Sequence, residues 1–282
     1  MSPSDVPGTG PAAEGLLRAT FVHLPGVGPA TEAELWLRGI RDWQELRALA
    51  VAGRGPVRAG GGLVAALAAS ERALSEGDAA WFGRRLPDPE HWRLYPPFRA
   101  RAAFLDIETT SLTPYEGIVT VVTVHGGGTT RTFVADEDLE ELPAYLRTFP
   151  LLVTFNGSRF DVPFLRAAFP HLVVPPVHID LRFLLYRLGL SGGLKRIEAT
   201  VGLGDRAGVE GVDGREAVRL WQEHRRGNTA ALDRLVRYNR ADTKNLEPLL
   251  DYAVDELGRR LPLAAPRPGG VPGPGAVARA RG

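Results

Sequence analysis

Between residues 102 and 155 the sequence alternates apolar runs with short polar connections, a pattern that favours a β-sheet. Glycine-rich residues 126–128 and other short connections predict antiparallel hairpins among the first three runs. The run 151–155 is continuously apolar, as expected for a strand covered on both faces. The four runs cover 102–107, 117–124, 131–135 and 151–155, and helical patterns follow at about 162–169, 181–189, 194–200, 214–226 and 229–255. The region therefore predicts a mixed α/β sheet.

The first apolar run ends in two acids, Asp106 and Glu108. Alternate residues of a strand share a face, so the two carboxylates are expected to point together. They raise each other's pKa unless a cation lies between them, and hard divalent cations prefer oxygen ligands. The alternative is a strand end whose acids are simply solvated. The pair indicates half of a metal site.

Three further polar residues follow at element boundaries or on a helix face. Asp161 comes just after the last apolar run, at the start of a predicted helix, where a helix N-cap is the alternative role. Tyr238 and Asp242 lie four residues apart in the final helix, so they share a face. For that pair the alternative is an exposed acid beside a half-buried tyrosine.

Taken in order, these residues resemble the three motifs of the DEDD family of 3′-5′ exonucleases. Asp106 and Glu108 form Asp-x-Glu, Asp161 closes Asn-x3-Phe-Asp, and Tyr238 with Asp242 forms Tyr-x3-Asp. The tyrosine is typical of the DEDDy subclass, and segments 178–181 and 192–198 look like its YprB-type branch. The resemblance covers about residues 100–256. It implies an RNase H-like fold with five strands, three antiparallel and then parallel strands, flanked by helices.

The resemblance also implies a chemistry, namely metal-dependent hydrolysis of phosphodiester bonds at 3′ ends by a two-metal-ion mechanism. Asp106 is expected to bridge two divalent cations, Mg²⁺ or Mn²⁺, with Glu108 and Asp242 on one ion and Asp161 on the other. Tyr238 is expected to orient the attacking water, since an ordinary tyrosine is neutral at pH 7. The alternatives are a non-catalytic nucleic-acid-binding module on the same shell and a structure-specific endonuclease.

The expected partner is nucleic acid, either DNA or RNA with a single-stranded 3′ end, and no nucleotide cofactor is expected. By the resemblance, Asn156, Phe160 and Lys195 contact it. The glycines before Lys195 precede a helix whose backbone N–H groups could also meet a phosphate, and a plain turn is the alternative. Asp180 falls outside the motifs and is interpreted as structural or as an outer residue of the site. Nothing in the sequence distinguishes DNA from RNA.

Composition excludes several kinds of site. The chain has 282 residues and no cysteine, so disulfides and thiolate metal sites are excluded. The absence of cysteine favours the cytoplasm, and the N-terminal residues are expected to be neither a signal peptide nor a membrane anchor. The basic residues are nearly all arginine, which suits phosphate contacts but is also typical of GC-rich codons.

The predicted organisation has five parts. The sequence predicts a disordered N-terminus (1–15), a small helical domain (16–90), a linker (91–99), the exonuclease domain (100–258) and a disordered Pro/Gly/Arg tail (259–282).

The predicted helical domain contains a segment, residues 24–28, that resembles the hairpin of a helix-hairpin-helix motif. Gly26 and Gly28 would let backbone N–H groups approach a phosphate. Glu32 departs from that family, in which a small residue is usual. The alternative is a packing module with a core of Leu35, Trp36, Ile40, Trp43 and Leu46.

Overall fold

The computed structural model describes residues 11–54, 62–208, 211 and 213–263. The described residues before 102 form short helices joined by turns. Their α-helices are α1 (Pro11–Arg18), α2 (Pro29–Leu37), α3 (Trp43–Val51), α4 (Leu63–Ser75), α5 (Ala79–Gly83) and α6 (Tyr95–Phe98), and 3₁₀ helices span Asp88–Leu94 and Arg99–Arg101.

A five-stranded mixed sheet follows, and its order is β3-β2-β1-β4-β5. Its strands are β1 (Ala102–Thr109), β2 (Val119–Gly126), β3 (Thr129–Val134), β4 (Leu151–Thr154) and β5 (Val177–Asp180). The first three strands pair antiparallel, whereas β4 and β5 run parallel to β1. The predicted fold class is therefore confirmed. The short fifth strand came from the family resemblance, since the apolar runs alone indicated four.

Helices connect and cover the strands, close to the predicted positions. They are α7 (Leu142–Leu146), α8 (Asp161–Ala168), α9 (Leu181–Arg187), α10 (Leu194–Val201), α11 (Gly214–Arg225) and α12 (Thr229–Arg260). Pro163 lies in the first turn of α8, where its missing N–H has no intrahelical partner to lose. Within the described part of the chain, no helix combines the length and the apolar character needed to cross a membrane.

Each face of the sheet packs against its own apolar core, and α12 contributes to both. On one face, Phe104, Val153 and Ile179 pack with the C-terminal half of α12, which buries Leu246, Leu249, Leu250 and Ala253. The other face buries Leu105 and Ile107 with residues of α8 and α11 and with Leu235 and Tyr238 of α12. The two halves of α12 are thus held by different cores. This packing fixes the position of its central residues relative to β1.

The N-terminal helices share the first of these cores. Leu17, Phe21, Trp43 and Phe82 belong to the same buried cluster as Phe104. The predicted packing module is consistent with this arrangement, because Leu35, Trp36, Trp43 and Leu46 are buried and Ile40 is partly buried.

The predicted linker, residues 91–99, is instead helical and buried. Its aromatic residues Trp92, Tyr95 and Phe98 are 1%, 2% and 4% exposed, so they join the helical segment to the sheet rather than separating the two. Two prolines do not interrupt it, because they occupy the first turn of α6.

The predicted disordered ends differ from the structure at their inner boundaries. Helix α1 begins at Pro11, inside the predicted N-terminal segment 1–15, and α12 continues to Arg260, inside the predicted tail 259–282. Residues 1–10 and 264–282 lie outside the described residues.

Glu32 is buried within the helical segment. Its carboxylate accepts hydrogen bonds from the backbone N–H groups of Phe21 (2.5 Å) and Val22 (3.1 Å), and it forms an ion pair with Arg93 at 2.8 Å. Glu32 and Arg93 are 2% and 5% exposed. The acid that departs from the helix-hairpin-helix pattern therefore links α2 to the chain before it and to the helix that leads to the sheet.

We expect Glu32→Ala to lower the free energy of unfolding by about 3 kcal/mol, because it leaves the buried N–H groups of Phe21 and Val22 without an acceptor and removes one of the two carboxylates that pair with Arg93. Urea unfolding followed by circular dichroism measures this change. The matched control is Glu34→Ala, which removes an exposed acid from the same helix and should cost less than about 0.5 kcal/mol. Equal, small losses in both variants would contradict the structural role of Glu32.

Candidate metal centre

Strand β1 and helix α12 bring three carboxylates together. Asp106 and Glu108 lie opposite Thr123 and Val121 of β2, and the strand register shifts directly after Glu108. One carboxylate oxygen each from Asp106, Glu108 and Asp242 lies within 4.8 Å of the other two. Two residues close in sequence and one from the distant helix thus form a compact acidic cluster.

Asp161 is the fourth acid, and it adds to the same electrostatic environment from α8. It is the first residue of that helix and is 3% exposed. Its charge acts on both Asp106 and Glu108, and the backbone N–H of Ile107, which lies between those two acids, acts on its carboxylate. Asp161 therefore flanks the three-carboxylate cluster, although it stands outside the 4.8 Å group.

Burial and the charges of neighbouring acids raise the pKa of Asp106, Glu108 and Asp161. Burial raises the pKa of Asp106 well above its ordinary value, and the charges of Asp242, Glu108 and Asp161 raise it further. Burial and the Asp242 charge raise the pKa of Glu108 to about 8. Burial also raises the pKa of Asp161 to about 7. The folded chain thus holds acidic groups whose ionised forms are stabilised only by added positive charge.

A hard divalent cation fits this donor set. Carboxylate oxygens are the ligands that Mg²⁺ and Mn²⁺ prefer, and ionised acids packed this closely need a cation between them. Within the described residues, this is the one group of three or more acidic or histidine side chains with such spacing. Glu108 and Asp242 are buried and Asp106 is only partly covered, so Asp106 lies on the side open to solvent.

Asn239 holds Asp106 in place, and sequence reasoning did not find it. Its side-chain Nδ2 donates a hydrogen bond to Oδ2 of Asp106 at 2.8 Å. Asn239 is fully buried, and its Oδ1 has no hydrogen-bond partner among the described residues. That oxygen is a further neutral acceptor beside the carboxylates. Its position next to Tyr238 in the Tyr-x3-Asp motif was the available signal.

Arg206 is the second residue that sequence reasoning missed, and it contacts Asp242 directly. Its Nη1 lies 2.5 Å from Oδ1 of Asp242, and its other nitrogens bind both carboxylate oxygens of Glu198. Glu198 is 3% exposed and also accepts a hydrogen bond from Asn245 of α12. The guanidinium therefore fixes one oxygen of Asp242 and ties α10 to α12. No sequence spacing indicated this contact.

Tyr238 lies at the edge of the cluster as a hydrogen-bond donor. It is 6% exposed. Burial and the charge of Asp242, which also accepts a hydrogen bond from the hydroxyl group, raise the pKa of Tyr238 above its ordinary value. Its hydroxyl therefore keeps its proton at neutral pH. The Nζ of Lys195, on α10, lies 4.7 Å from the centre of the Tyr238 ring, and the Lys195 charge lowers the pKa of Glu108.

Two of the residues expected to contact nucleic acid stand in the loop between β4 and α8. Asn156 adopts a positive φ of 66°, and its side-chain oxygen accepts a hydrogen bond from Arg182. Phe160 is half-buried, with its ring centroid 4.9 Å from that of Phe164. Both residues shape the loop that presents Asp161.

Asp180 has a structural role. Its carboxylate accepts hydrogen bonds from the backbone N–H groups of Asn156, Ser158 and Arg182, so it holds the β4–α8 loop and caps α9. A cavity of about 580 Å³ lies between the 3₁₀ helix Asp88–Leu94 and β5, and Asp180 is one of its lining residues. None of the four acids lines this cavity, so the candidate metal centre lies outside it.

The remaining pair, Gly26 and Gly28, lies in the turn before α2. Both are exposed. Gly26 has a positive φ of 74°, which favours glycine there, whereas Gly28 has an ordinary φ of −99° and precedes the helix. They belong to the N-terminal helical segment rather than to β1, α8 or α12.

The match to a protein family agrees with this geometry. A family model described as RNase H superfamily matches residues 103–254, which is more than half of the 282-residue chain. The chain belongs to the RNase H superfamily. Within this RNase H domain the match includes all four acids and Tyr238. The N-terminal helices lie outside it.

Several solved structures resemble this RNase H superfamily member at low identity. The family B DNA polymerase of the archaeon Pyrobaculum calidifontis is 18% identical with a TM-score of 0.47, over 57% of this chain and 25% of the polymerase. A structure described as the apo form of a nuclease is 22% identical with a TM-score of 0.41, over 57% and 75%. Brucella melitensis NrnC with bound Mg²⁺ is 21% identical with a TM-score of 0.40, over 58% and 78%. A search of curated proteins found no match.

We expect the metal-free protein to lose stability as pH rises from about 4 to about 8. Glu108 and Asp161 hold their protons in the folded state up to a pH of about 8 and about 7, whereas the unfolded chain releases them near pH 4. Ionisation therefore favours the unfolded state. Urea unfolding in EDTA at about pH 5 and about pH 8 measures the loss.

Added Mn²⁺ should reverse the loss and stabilise the protein more at the higher pH, because metal binding requires ionised ligands. The matched variant is Asp106→Asn, which keeps the shape of the side chain but removes one charge. The free energy of unfolding of this variant should depend less on pH in EDTA, and Mn²⁺ should stabilise the variant little. The same Mn²⁺ effect in both proteins would contradict a metal site at Asp106.

Proposed function

We propose that this protein is a metal-dependent 3′-5′ exonuclease of the DEDDy type, in the YprB-like branch, acting on single-stranded DNA or RNA ends. The observation that carries the proposal is the meeting of Asp106, Glu108 and Asp242 within 4.8 Å, with Asp161 and Tyr238 beside them. These residues come from three separated motifs. They meet only because the end of β1, the start of α8 and the middle of α12 converge.

We infer that the four acids hold two divalent cations, Mg²⁺ or Mn²⁺. Asp106 would bridge both ions, Glu108 and Asp242 would hold one, and Asp161 would hold the other. When bound, such ions supply the positive charge that activates water and stabilises the leaving oxygen in phosphodiester hydrolysis. The P–O3′ bond of the terminal linkage breaks, water supplies the hydroxyl that stays on phosphorus, and a proton goes to the departing O3′. The products are a 5′-mononucleotide and a chain shortened by one nucleotide.

Two side chains at the rim have distinct roles in this proposal. Tyr238 retains its proton, which it donates to Asp242, so its hydroxyl oxygen orients the attacking water by accepting a hydrogen bond from it rather than acting as a base. Lys195 is exposed next to the Tyr238 ring and carries the charge to contact the scissile phosphate. Asn239 and Arg206 position the carboxylates of Asp106 and Asp242 through direct hydrogen bonds.

We also propose that the chain is divided into a catalytic unit and an N-terminal packing unit. Residues 100–258 form the catalytic unit, and the N-terminal helices act as a packing unit. The contacts of Glu32 favour packing, because its carboxylate occupies the N–H groups of Phe21 and Val22 and pairs with Arg93. Phosphate binding at Gly26 and Gly28 is the alternative role of that turn.

Incubation with end-labelled oligonucleotides tests the proposal. We expect single-stranded substrates labelled at the 5′ end to give a ladder of successively shorter products in Mg²⁺ or Mn²⁺. Substrates labelled at the 3′ end should release a labelled mononucleotide at once, and EDTA should stop both reactions. DNA and RNA are compared in parallel to assign the sugar preference. Internal cuts would favour an endonuclease, and binding without any cleavage would favour a non-catalytic module.

Tyr238→Phe separates the role of the hydroxyl group from metal binding. We expect kcat to fall roughly 100-fold, because the hydrogen bond that orients the water is lost, while the Mn²⁺-induced rise in Tm stays as in the unsubstituted protein. Tyr252→Phe is the matched control, since it removes a hydroxyl from the same helix two residues after Leu250, among the residues that pack on the first core. Unchanged hydrolysis by Tyr238→Phe would remove the proposed role.

A further inference from the structure

An exposed surface beside the candidate metal centre combines aromatic and basic side chains. It consists of Arg159 of the β4–α8 loop, Arg182, Phe183 and Tyr186 of α9, and Arg196 of α10, and is called the basic aromatic surface. A cavity of about 290 Å³ lies between these elements, and four of the five residues line it. Gly192 brings the α9–α10 loop against the side chain of Arg196, since a Cβ there would lie 2.9 Å from the Arg196 Cδ.

The two aromatic rings of this surface are not part of a core. Helix α9 buries Leu181, Leu184 and Leu185 against the sheet, whereas Phe183 is 43% exposed and Tyr186 is 71% exposed. Their spacing of three places both rings on one side of the helix. The buried face of α9 already anchors it, so the outward rings are available to a flat ligand.

The three arginines of this surface have no acidic partner in the described part of the chain. Among the described residues, no carboxylate lies within 4 Å of Arg159, Arg182 or Arg196, whereas Arg219, Arg225 and Arg259 each pair with an acid. The guanidinium of Arg159 lies 5.1 Å from the centre of the Phe183 ring, and Arg182 donates to Asn156. Their positive charge is uncompensated and faces solvent.

The basic aromatic surface adjoins the candidate metal centre through two elements. Arg159 precedes the buried Asp161 by two residues in the same loop. Arg196 follows Lys195, whose Nζ lies 4.7 Å from the Tyr238 ring. A polymer that reached the carboxylates with its end would therefore pass between the β4–α8 loop and the start of α10.

We propose that the basic aromatic surface binds the single strand upstream of the cleaved end, with bases stacked on Phe183 and Tyr186 and phosphates on Arg159, Arg182 and Arg196. This rests on the proposed nuclease function and adds the path of the substrate. Aromatic platforms interleaved with basic residues are how proteins bind single strands without sequence preference. A duplex hides the faces of its bases, so it cannot use the two rings.

The test compares a long and a short substrate for the same chemistry. The long substrate is a single strand of about 12 nucleotides, within the range that one such site covers. The short one is the p-nitrophenyl ester of thymidine 5′-monophosphate, which has one phosphodiester bond and no upstream bases. For the double variant F183A/Y186A we expect kcat/KM on the long substrate to fall at least roughly tenfold, and kcat/KM on the ester to stay within about twofold of the unsubstituted protein.

Two controls accompany this variant. Tyr186→Phe retains the ring and should retain turnover of the long substrate. Arg84→Ala removes an exposed arginine next to Gly83, which packs against Val177 at the opposite end of β5 from α9, and should change neither reaction. Binding of the long substrate is measured by fluorescence anisotropy at several salt concentrations in the Asp106→Asn protein, with and without R159A/R182A. The plot of log binding constant against log salt concentration should be shallower by about 1.4 with R159A/R182A, because each phosphate contact contributes about 0.7.

The outcomes separate this inference from the proposed function. If the unsubstituted protein cleaves neither substrate, the proposed function fails. If it cleaves both and F183A/Y186A cleaves both at the unsubstituted rate, the surface is not the substrate path while the function stands. A duplex bound as tightly as the single strand, or an acidic peptide bound more tightly than either, would also overturn the single-strand assignment.

Discussion

The placement of α12 across β1 is the constraint on which the candidate centre depends. It positions Asp242 beside Asp106 and Glu108, although the three carboxylates repel one another. Leu246, Leu249 and Leu250 are fully buried on the same helix, and each contributes on the order of 2 kcal/mol through burial. Apolar packing on both faces of the sheet thus stabilises a cluster that would otherwise separate. Asn239 and Arg206 add directed contacts to two of the acids.

This arrangement leaves the acids poised to bind a cation. Their raised pKa values describe a site whose ionised form is costly without added positive charge. Arg206 supplies one such charge at Asp242, yet its guanidinium also binds Glu198, so it compensates only part of the cluster. The charge of Lys195 lowers the pKa of Glu108, and the cluster is partly accessible on the side of Asp106. That side is where the proposal places the substrate.

Much of the sheet and the pairing of Asp106 with Glu108 could be predicted, because both depend on local patterns. The apolar runs marked β1 to β4, and the two-residue spacing placed Asp106 and Glu108 on one face. Arg206 and Asn239 could not be assigned in this way, since each acts through a residue far away in sequence. The prediction of a linker at residues 91–99 differs from the structure for a related reason. Proline and aromatic residues in this order are typical of a loop, but Trp92 and Tyr95 are buried by packing between the N-terminal helices and the sheet.

A two-metal centre can be tested by the anomalous scattering of Mn²⁺ in crystals soaked with the ion and a 5′-mononucleotide. We expect two peaks about 3.5 to 4 Å apart. Asp106 should contact both, and Glu108, Asp161 and Asp242 should complete their ligands. Crystals with no Mn²⁺ at these carboxylates, and with the nucleotide bound elsewhere, would contradict a two-metal centre on this RNase H fold.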